Sequence, residues 1–214
     1  MKLISINVGQ PRAVQTHGKT VKTSIFKAPV LGPVLVKRLN VVGDKQSDLT
    51  VHGGADKAVY VYPSEHYASW RKELPEVELA WGAFGENFTT EGLLEDTIHI
   101  GDRLQIGAAE FVVTQPRLPC FKLGIRFDRP DMVKRFLESG RTGFYLRVLR
   151  EGEVTADNAI TVAVADDTMT IADFVALYTA DDADRVLLRR ASELPALPEG
   201  WRNHFRERLE ELEV

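Results

Sequence analysis

Apolar and polar residues alternate along Leu3-Ile4-Ser5-Ile6-Asn7-Val8, and Gly9 ends the run. A period of two puts successive side chains on opposite faces of a strand. Short runs of the same kind recur at residues 22–26, 34–42, 59–62, 97–100, 103–106, 111–114, 144–149 and 160–165. Turn residues punctuate them, among them Pro29, Gly32, Gly43, Gly101 and Gly107. Many short strands with regular turn signals predict a barrel or sandwich. Two stretches carry helical spacing instead. Pro63 opens one over residues 63–72, which stops before Pro75. Pro130 opens the other over 131–139, with Gly140 placed to end it in the left-handed conformation.

Near Asp166 the pattern becomes wholly helical. Thr170 is placed to cap a helix over 171–178, whose Ile171, Phe174, Val175 and Tyr178 share one face. Asp181 or Asp182 starts a second, with Val186 and Leu187 inward. Pro195, Pro198 and Gly200 break the chain before a third over 201–211. The expected fold is therefore a mainly β unit over 1–165 with a few peripheral helices. A small three-helix appendage follows over 166–214.

Composition adds limits. Of 214 residues, 44% are apolar and 27% charged, the balance of an ordinary globular chain. Net charge is −4, which argues against a nucleic-acid or anionic-membrane surface as the main partner. The charge is uneven: residues 166–214 hold 12 acidic and 6 basic side chains, a net of −6, leaving +2 on the first 165. The larger part thus retains room for an anion site. One cysteine excludes an internal disulfide and a four-cysteine iron–sulfur cluster. The opening stretch is too short and too polar for a signal peptide, and no later run reaches membrane length. A cytoplasmic setting is expected.

That cysteine sits in Gln115-Pro116-Arg117-Leu118-Pro119-Cys120-Phe121-Lys122, which two prolines should make a rigid loop. Arg117 and Lys122 are cations close to the thiol, and cations stabilise a thiolate, the form that attacks or binds metal. The same cysteine also reads as a small buried hydrophobe. His52-Gly53-Gly54, followed by Lys57, offers backbone amides and donors to an anion, or equally a turn between strands. Asn87, Thr89 and Thr90 supply neutral polar groups within Phe84-Gly85-Glu86-Asn87-Phe88-Thr89-Thr90, or cap an ordinary loop. Arg141 and Thr142 lie between Gly140 and Gly143. Phosphate-loop, zinc, nucleophile-elbow and dinucleotide fingerprints are absent. His17-Gly18-Lys19-Thr20 lacks the first glycine a phosphate loop needs.

Taken together, the runs at 48–59, 62–67, 85–92, 100–102, 115–123 and 140–143 resemble the MOSC family, in the family's order. The match is to its YiiM-like branch, associated with resistance to 6-N-hydroxylaminopurine, in which a three-helix domain follows the barrel. The resemblance implies a MOSC-type β-barrel that binds the molybdenum cofactor, with Cys120 as metal ligand and catalytic residue. Soft thiolate suits such a metal. For the rest of the cofactor the candidates are His52, Gly53, Gly54, Lys57, Asn87, Thr89, Arg117, Lys122 and Arg141.

The implied activity is reduction of N-hydroxylated bases and amines to the parent compound. With one cysteine and no flavin or nicotinamide fingerprint, electrons must then come from a separate flavoprotein or ferredoxin-type donor. The acidic tail is one candidate docking surface for it, and a solvated stabilising appendage is the other reading. No nucleic-acid or membrane partner is expected, and the assembly is a monomer or homodimer. The alternative function is a sulfur or molybdenum-cofactor carrier without redox turnover.

Overall fold

The computed structural model describes residues 1–16, 18–47, 53–165, 168–180, 182 and 184–212. Its first half is strand-rich: β1 (Lys2–Val8), β2 (Arg12–Thr16), β3 (Lys19–Thr23), β4 (Ala28–Val30), β5 (Val34–Lys37), β6 (Asn40–Val41) and β7 (Val59–Pro63). Helix α1 (Glu65–Glu73) follows, then β8 (Phe88–Glu91), β9 (Arg103–Ile106) and β10 (Ala109–Pro116). Two short helices, α2 (Phe121–Phe127) and α3 (Met132–Glu138), precede β11 (Phe144–Arg150), β12 (Gly152–Val154) and β13 (Ile160–Ala163). Three more close the chain: α4 (Ile171–Thr179), α5 (Arg185–Glu193) and α6 (Glu199–Glu211).

The main sheet has eight strands in the order β13-β9-β10-β11-β7-β8-β1-β4. A three-stranded sheet (β12-β5-β6) and the separate β2–β3 hairpin complete the β structure. The ladders of the main sheet do not close into a ring among the described strands. An isolated bridge, Lys2 with Ala159, brings β1 to the run just ahead of β13. Leu3 N donates to Asn158 O and Ile160 N to Met1 O there, both at 3.0 Å.

The alternation of β7 shows why this sheet needs helices outside it. Val59 and Val61 enter one apolar core with Leu3, Phe88, Phe111 and Phe144. Tyr60 and Tyr62 point the other way, into a second core with Tyr67, Trp70, Phe84 and Phe136 beneath α1, α2 and α3. Both faces are buried, so the run reads as continuously apolar. The first core continues into the tail: Phe174, Leu188, Leu197 and Phe205 belong to it. The three C-terminal helices therefore share one contiguous apolar core with the sheet.

Several expectations need correction. Residues 34–42 do not form one strand. Arg38 and Leu39 make a tight turn that folds β5 back on β6, with Lys37 opposite Asn40. Residues 97–100 are a turn, because the Asp102 carboxylate accepts from His99 N and Ala165 N, each at 2.8 Å, and curls the chain. The rigid loop at 115–122 is shorter than expected: Gln115 and Pro116 end β10, and Phe121 begins α2 with Cys120 at its N-cap. Val186 is 69% exposed rather than inward. Thr170 does cap α4, in a reciprocal capping box with Asp173, and Gly140 follows α3 at φ +66°. No helix among the described residues is long and apolar enough to cross a membrane.

Candidate functional site

One pocket gathers the chemistry. Cys120 and Lys122 form one wall, at the junction of the Pro-rich run and α2. Arg117, just past the end of β10, forms the floor with Tyr60 of β7 and Tyr145 of β11. Thr23, Ser24, Ile25 and Lys27, which leave β3, form the facing wall with Asp44 and Asn87. Lys57 closes one side from a single 3-10 turn, Ala55–Lys57. That turn is pinned by Arg147, whose Nε donates to Asp56 Oδ1 at 2.6 Å, and by Thr114 Oγ, which donates to Asp56 O at 2.7 Å. The space encloses about 600 Å³ with its open mouth.

Four cations and one carboxylate line it among the described residues, so its field is positive. Arg117 is 6% exposed. Its guanidinium lies 5.3 Å from the ring centres of both Tyr60 and Phe136, an arrangement that holds a planar cation against aromatic faces. Burial works against its charge, but Tyr60, Tyr145 and Cys120 together hold it above the ordinary arginine value. Burial raises both tyrosines, which therefore stay neutral donors. Burial lowers Lys57, against the attraction of Asp56.

Lys27 and Asp44 form a buried ion pair on the far wall. Burial lowers Lys27, opposed by Asp44 and more weakly by Glu86. Asp44 is held in turn by Gly9 N at 2.8 Å and Asn87 Nδ2 at 2.9 Å. The Asn87 amide is fully committed, since its Oδ1 accepts from Tyr60 N at 3.1 Å. A polar chain continues inward through Asn7, Thr89 and Glu86. Glu86 accepts from the Tyr67 hydroxyl, Gly82 N and Phe84 N. Gly85 keeps this wall close: a Cβ there would lie 2.9 Å from Ile25 Cγ1.

Of the residues singled out by sequence, Lys57, Asn87, Arg117, Cys120 and Lys122 meet in this pocket. Thr89 does not line it; its hydroxyl serves Asn7 and Glu86. Arg141 lies elsewhere, bonded to Glu73 at 2.5 Å and stacked 4.3 Å from the Trp70 ring centre. Gly53 and Gly54 line a different cleft with Gln115, Trp201 and His204. Lys57 borders both. His52 lies outside the described residues. Sequence reasoning missed the 23–27 wall and the roles of Tyr60 and Tyr145. The only signal for that wall was the end of a predicted strand at 22–26.

A MOSC domain model matches residues 48–161, more than half of the chain. The chain belongs to the MOSC family. A YiiM-like 3-alpha helix domain model matches residues 169–212, the segment of α4, α5 and α6. Protein YiiM of Escherichia coli is 34% identical over 199 residues, 91% of this chain and 88% of that protein. The crystal structure of YiiM from Geobacillus stearothermophilus superposes with a TM-score of 0.82 at 34% identity, covering 97% of this chain and 98% of that one. A protein of Gibberella moniliformis named Reductase is 35% identical over 163 residues. That match spans 75% of this chain but 29% of the reductase, which carries much further sequence. This MOSC chain is thus tied to molybdenum-cofactor-related function by family.

Proposed function

We propose that this MOSC protein is a molybdenum-cofactor-dependent reductase of N-hydroxylated bases and amines, such as 6-N-hydroxylaminopurine, with electrons from a separate protein in the cytoplasm. The observation that carries the reading is the pairing of Cys120 with a buried guanidinium that keeps one unpartnered nitrogen. Arg117 Nη1 is buried without a hydrogen-bond partner among the described residues in the pocket that Cys120 lines, and so is Ser24 Oγ. Buried donors left unpaired cost about 1–3 kcal/mol each. An anionic ligand would satisfy them, and four surrounding cations favour one. A soft thiolate donor beside an anion-binding floor fits a phosphate-bearing metal cofactor.

When bound, the cofactor supplies the two-electron redox centre and a phosphate. Cys120 holds the metal. Arg117, Lys57 and Lys122 hold the anionic part, with Arg117 the most rigid because two rings fix its plane. Asn87 acts one step back, fixing the Asp44 carboxylate against Lys27. The Tyr60 hydroxyl donates to Thr142 O at 2.9 Å, which leaves the neutral Tyr145 phenol and the Lys27 ammonium as the proton-bearing groups of the lining. The overall reaction takes two electrons and two protons, breaks the N–O bond and releases the amine and water. The bridge between Lys2 and Ala159 also supports reading the main sheet as the family's barrel.

The test is molybdenum and pterin content after production in a cofactor-competent cytoplasm, for wild type and Cys120→Ser. Expected is near-stoichiometric metal in the first, lost in the second, followed by turnover of 6-N-hydroxylaminopurine. Molybdenum retained by the serine variant would remove Cys120 as ligand. Wild type without molybdenum would end the reductase reading. A persulfide on Cys120 would then be the measurement for the sulfur-carrier alternative.

A further inference from the structure

The β2–β3 hairpin stands apart from both other sheets, paired only with itself. Residues 12–23 contain Arg12, Lys19 and Lys22 and no carboxylate. All three cations are exposed, and none joins an ion pair among the described residues. A ribbon so polar contributes little to either core. Its end runs directly into the pocket: Thr23, at the last position of β3, and Ser24 are pocket wall.

The base of the hairpin concentrates the charge further. The Arg12 guanidinium sits 3.2 Å from the ring centre of Phe26, and that of Arg126, from α2, lies 5.3 Å from the same ring. Arg126 Nε is buried without a hydrogen-bond partner among the described residues. Burial and the neighbouring Arg12 charge both disfavour its protonated form. Two like charges meet at one ring, opposed only by the weaker pull of Tyr67 and the buried Glu86 on Arg126, and form a surface that an anionic partner would stabilise.

We propose that the β2–β3 hairpin, with Arg126 at its base, is the docking surface for an acidic electron-carrier protein at the mouth of the Cys120 pocket. The proposal rests on the reductase reading and adds where the donor binds and which charge it carries. Electron transfer falls steeply with distance, so a donor must approach the pocket mouth. Among the described residues, none after Tyr145 lines that pocket. The tail also carries a net of −6, which repels an acidic donor. Two five-residue strands suit a transient redox encounter, which buries less than about 1,200 Å². Such encounters owe their rates to complementary charge, worth about 10- to 1,000-fold in association.

The experiment uses the cofactor-loaded full chain and the triple variant R12E/K19E/K22E, with R202E/R206E as a charge control on the tail. The protein donor is an acidic flavodoxin kept reduced by its reductase, and the small donor is reduced methyl viologen. Expected is at least a tenfold fall in kcat/KM for flavodoxin in the triple variant alone, with methyl viologen turnover retained in all three proteins. Flavodoxin should bind cofactor-free wild type at low ionic strength, measured by titration calorimetry, and bind the triple variant at least tenfold more weakly. Equal flavodoxin kinetics in wild type and triple variant would overturn the docking site while leaving the reductase standing. So would absence of flavodoxin binding to wild type. No turnover with methyl viologen in wild type would instead overturn the reductase, and the docking role with it.

Discussion

Trp201 Nε1 donates to the side-chain carbonyl of Gln115 at 2.6 Å, joining α6 of the tail to the end of β10, two residues before Arg117. The link is buried at the Gln115 end, which is 2% exposed, and Gln115 Nε2 has no partner among the described residues. Trp201 also packs edge-on against Phe174 and Tyr178. Replacing Trp201 by Phe keeps an aromatic ring and removes the donor. The amide of Gln115 is then unsatisfied at both ends. The expected loss is about 1–3 kcal/mol, read as a lower Tm of roughly 2–4 °C per kcal/mol for a chain of this size. Scanning calorimetry of the purified variant checks it. An unchanged Tm would mean that the tail is held by its apolar core alone.

The Lys27–Asp44 pair makes a sharper prediction. Both side chains are buried, and Asp44 also accepts from Gly9 N and Asn87 Nδ2. Asp44→Asn keeps the size but leaves the Lys27 charge without its counter-ion and aims an amide at existing donors. Breaking one side of a buried pair typically costs about 3–5 kcal/mol. Denaturant unfolding should show that loss. Replacing both partners, as Lys27→Met with Asp44→Leu, should recover part of it, and a double-mutant cycle measures the coupling.

The two halves of the site differ in how far sequence reveals them. Arg117, Cys120 and Lys122 are neighbours in the chain, so their meeting follows from one turn and the first residues of α2. Lys27 and Asp44 are 17 positions apart and meet only because β1 pairs with β4 and β8. Periodicity is silent on such pairings. The β2–β3 hairpin escaped notice because neither face is fully buried, so no alternation marks it. Arg141 looked like a ligand residue by position, but Glu73, 68 residues away, claims it. The tail was more legible, because Thr170 with Asp173 is a local device and Phe174 and Phe205 mark an inward face. Val186 misled because one apolar residue at the first turn of α5 has no tertiary partner to bury it.

Two glycines in one short run should respond differently. Gly140 and Gly143 both have positive φ, +66° and +61°. A Cβ at Gly140 meets nothing within 4 Å, whereas at Gly143 it would lie 2.3 Å from Val61 O. Gly140→Ala therefore costs the left-handed penalty alone, about 1–2 kcal/mol. Gly143→Ala adds overlap with the β7 backbone, about 1–3 kcal/mol more. It also disturbs the bonds from Gly143 N to Glu95 and from Arg117 N to Gly143 O. Urea midpoints of the two variants should differ clearly, with Gly143→Ala the less stable. Similar midpoints would mean that the turn relaxes without strain.

Glu86 ties stability to pH. Its carboxyl is buried, and burial pushes its pKa above the ordinary value of 4.5, although Tyr67, Gly82, Phe84 and Thr89 all donate to it. A raised folded pKa means that the folded chain binds the proton more tightly than the unfolded chain. This contribution to stability is fully present below the unfolded value near 4.5 and is lost as pH rises through the folded value. Glu86→Gln does not titrate, so its stability lacks that slope. Thermal unfolding from pH 4 to pH 8 should show wild type losing ground relative to Glu86→Gln as pH rises above about 4.5. The opposite slope, with wild type gaining on the variant, would mean that the four donors outweigh burial and hold Glu86 ionised.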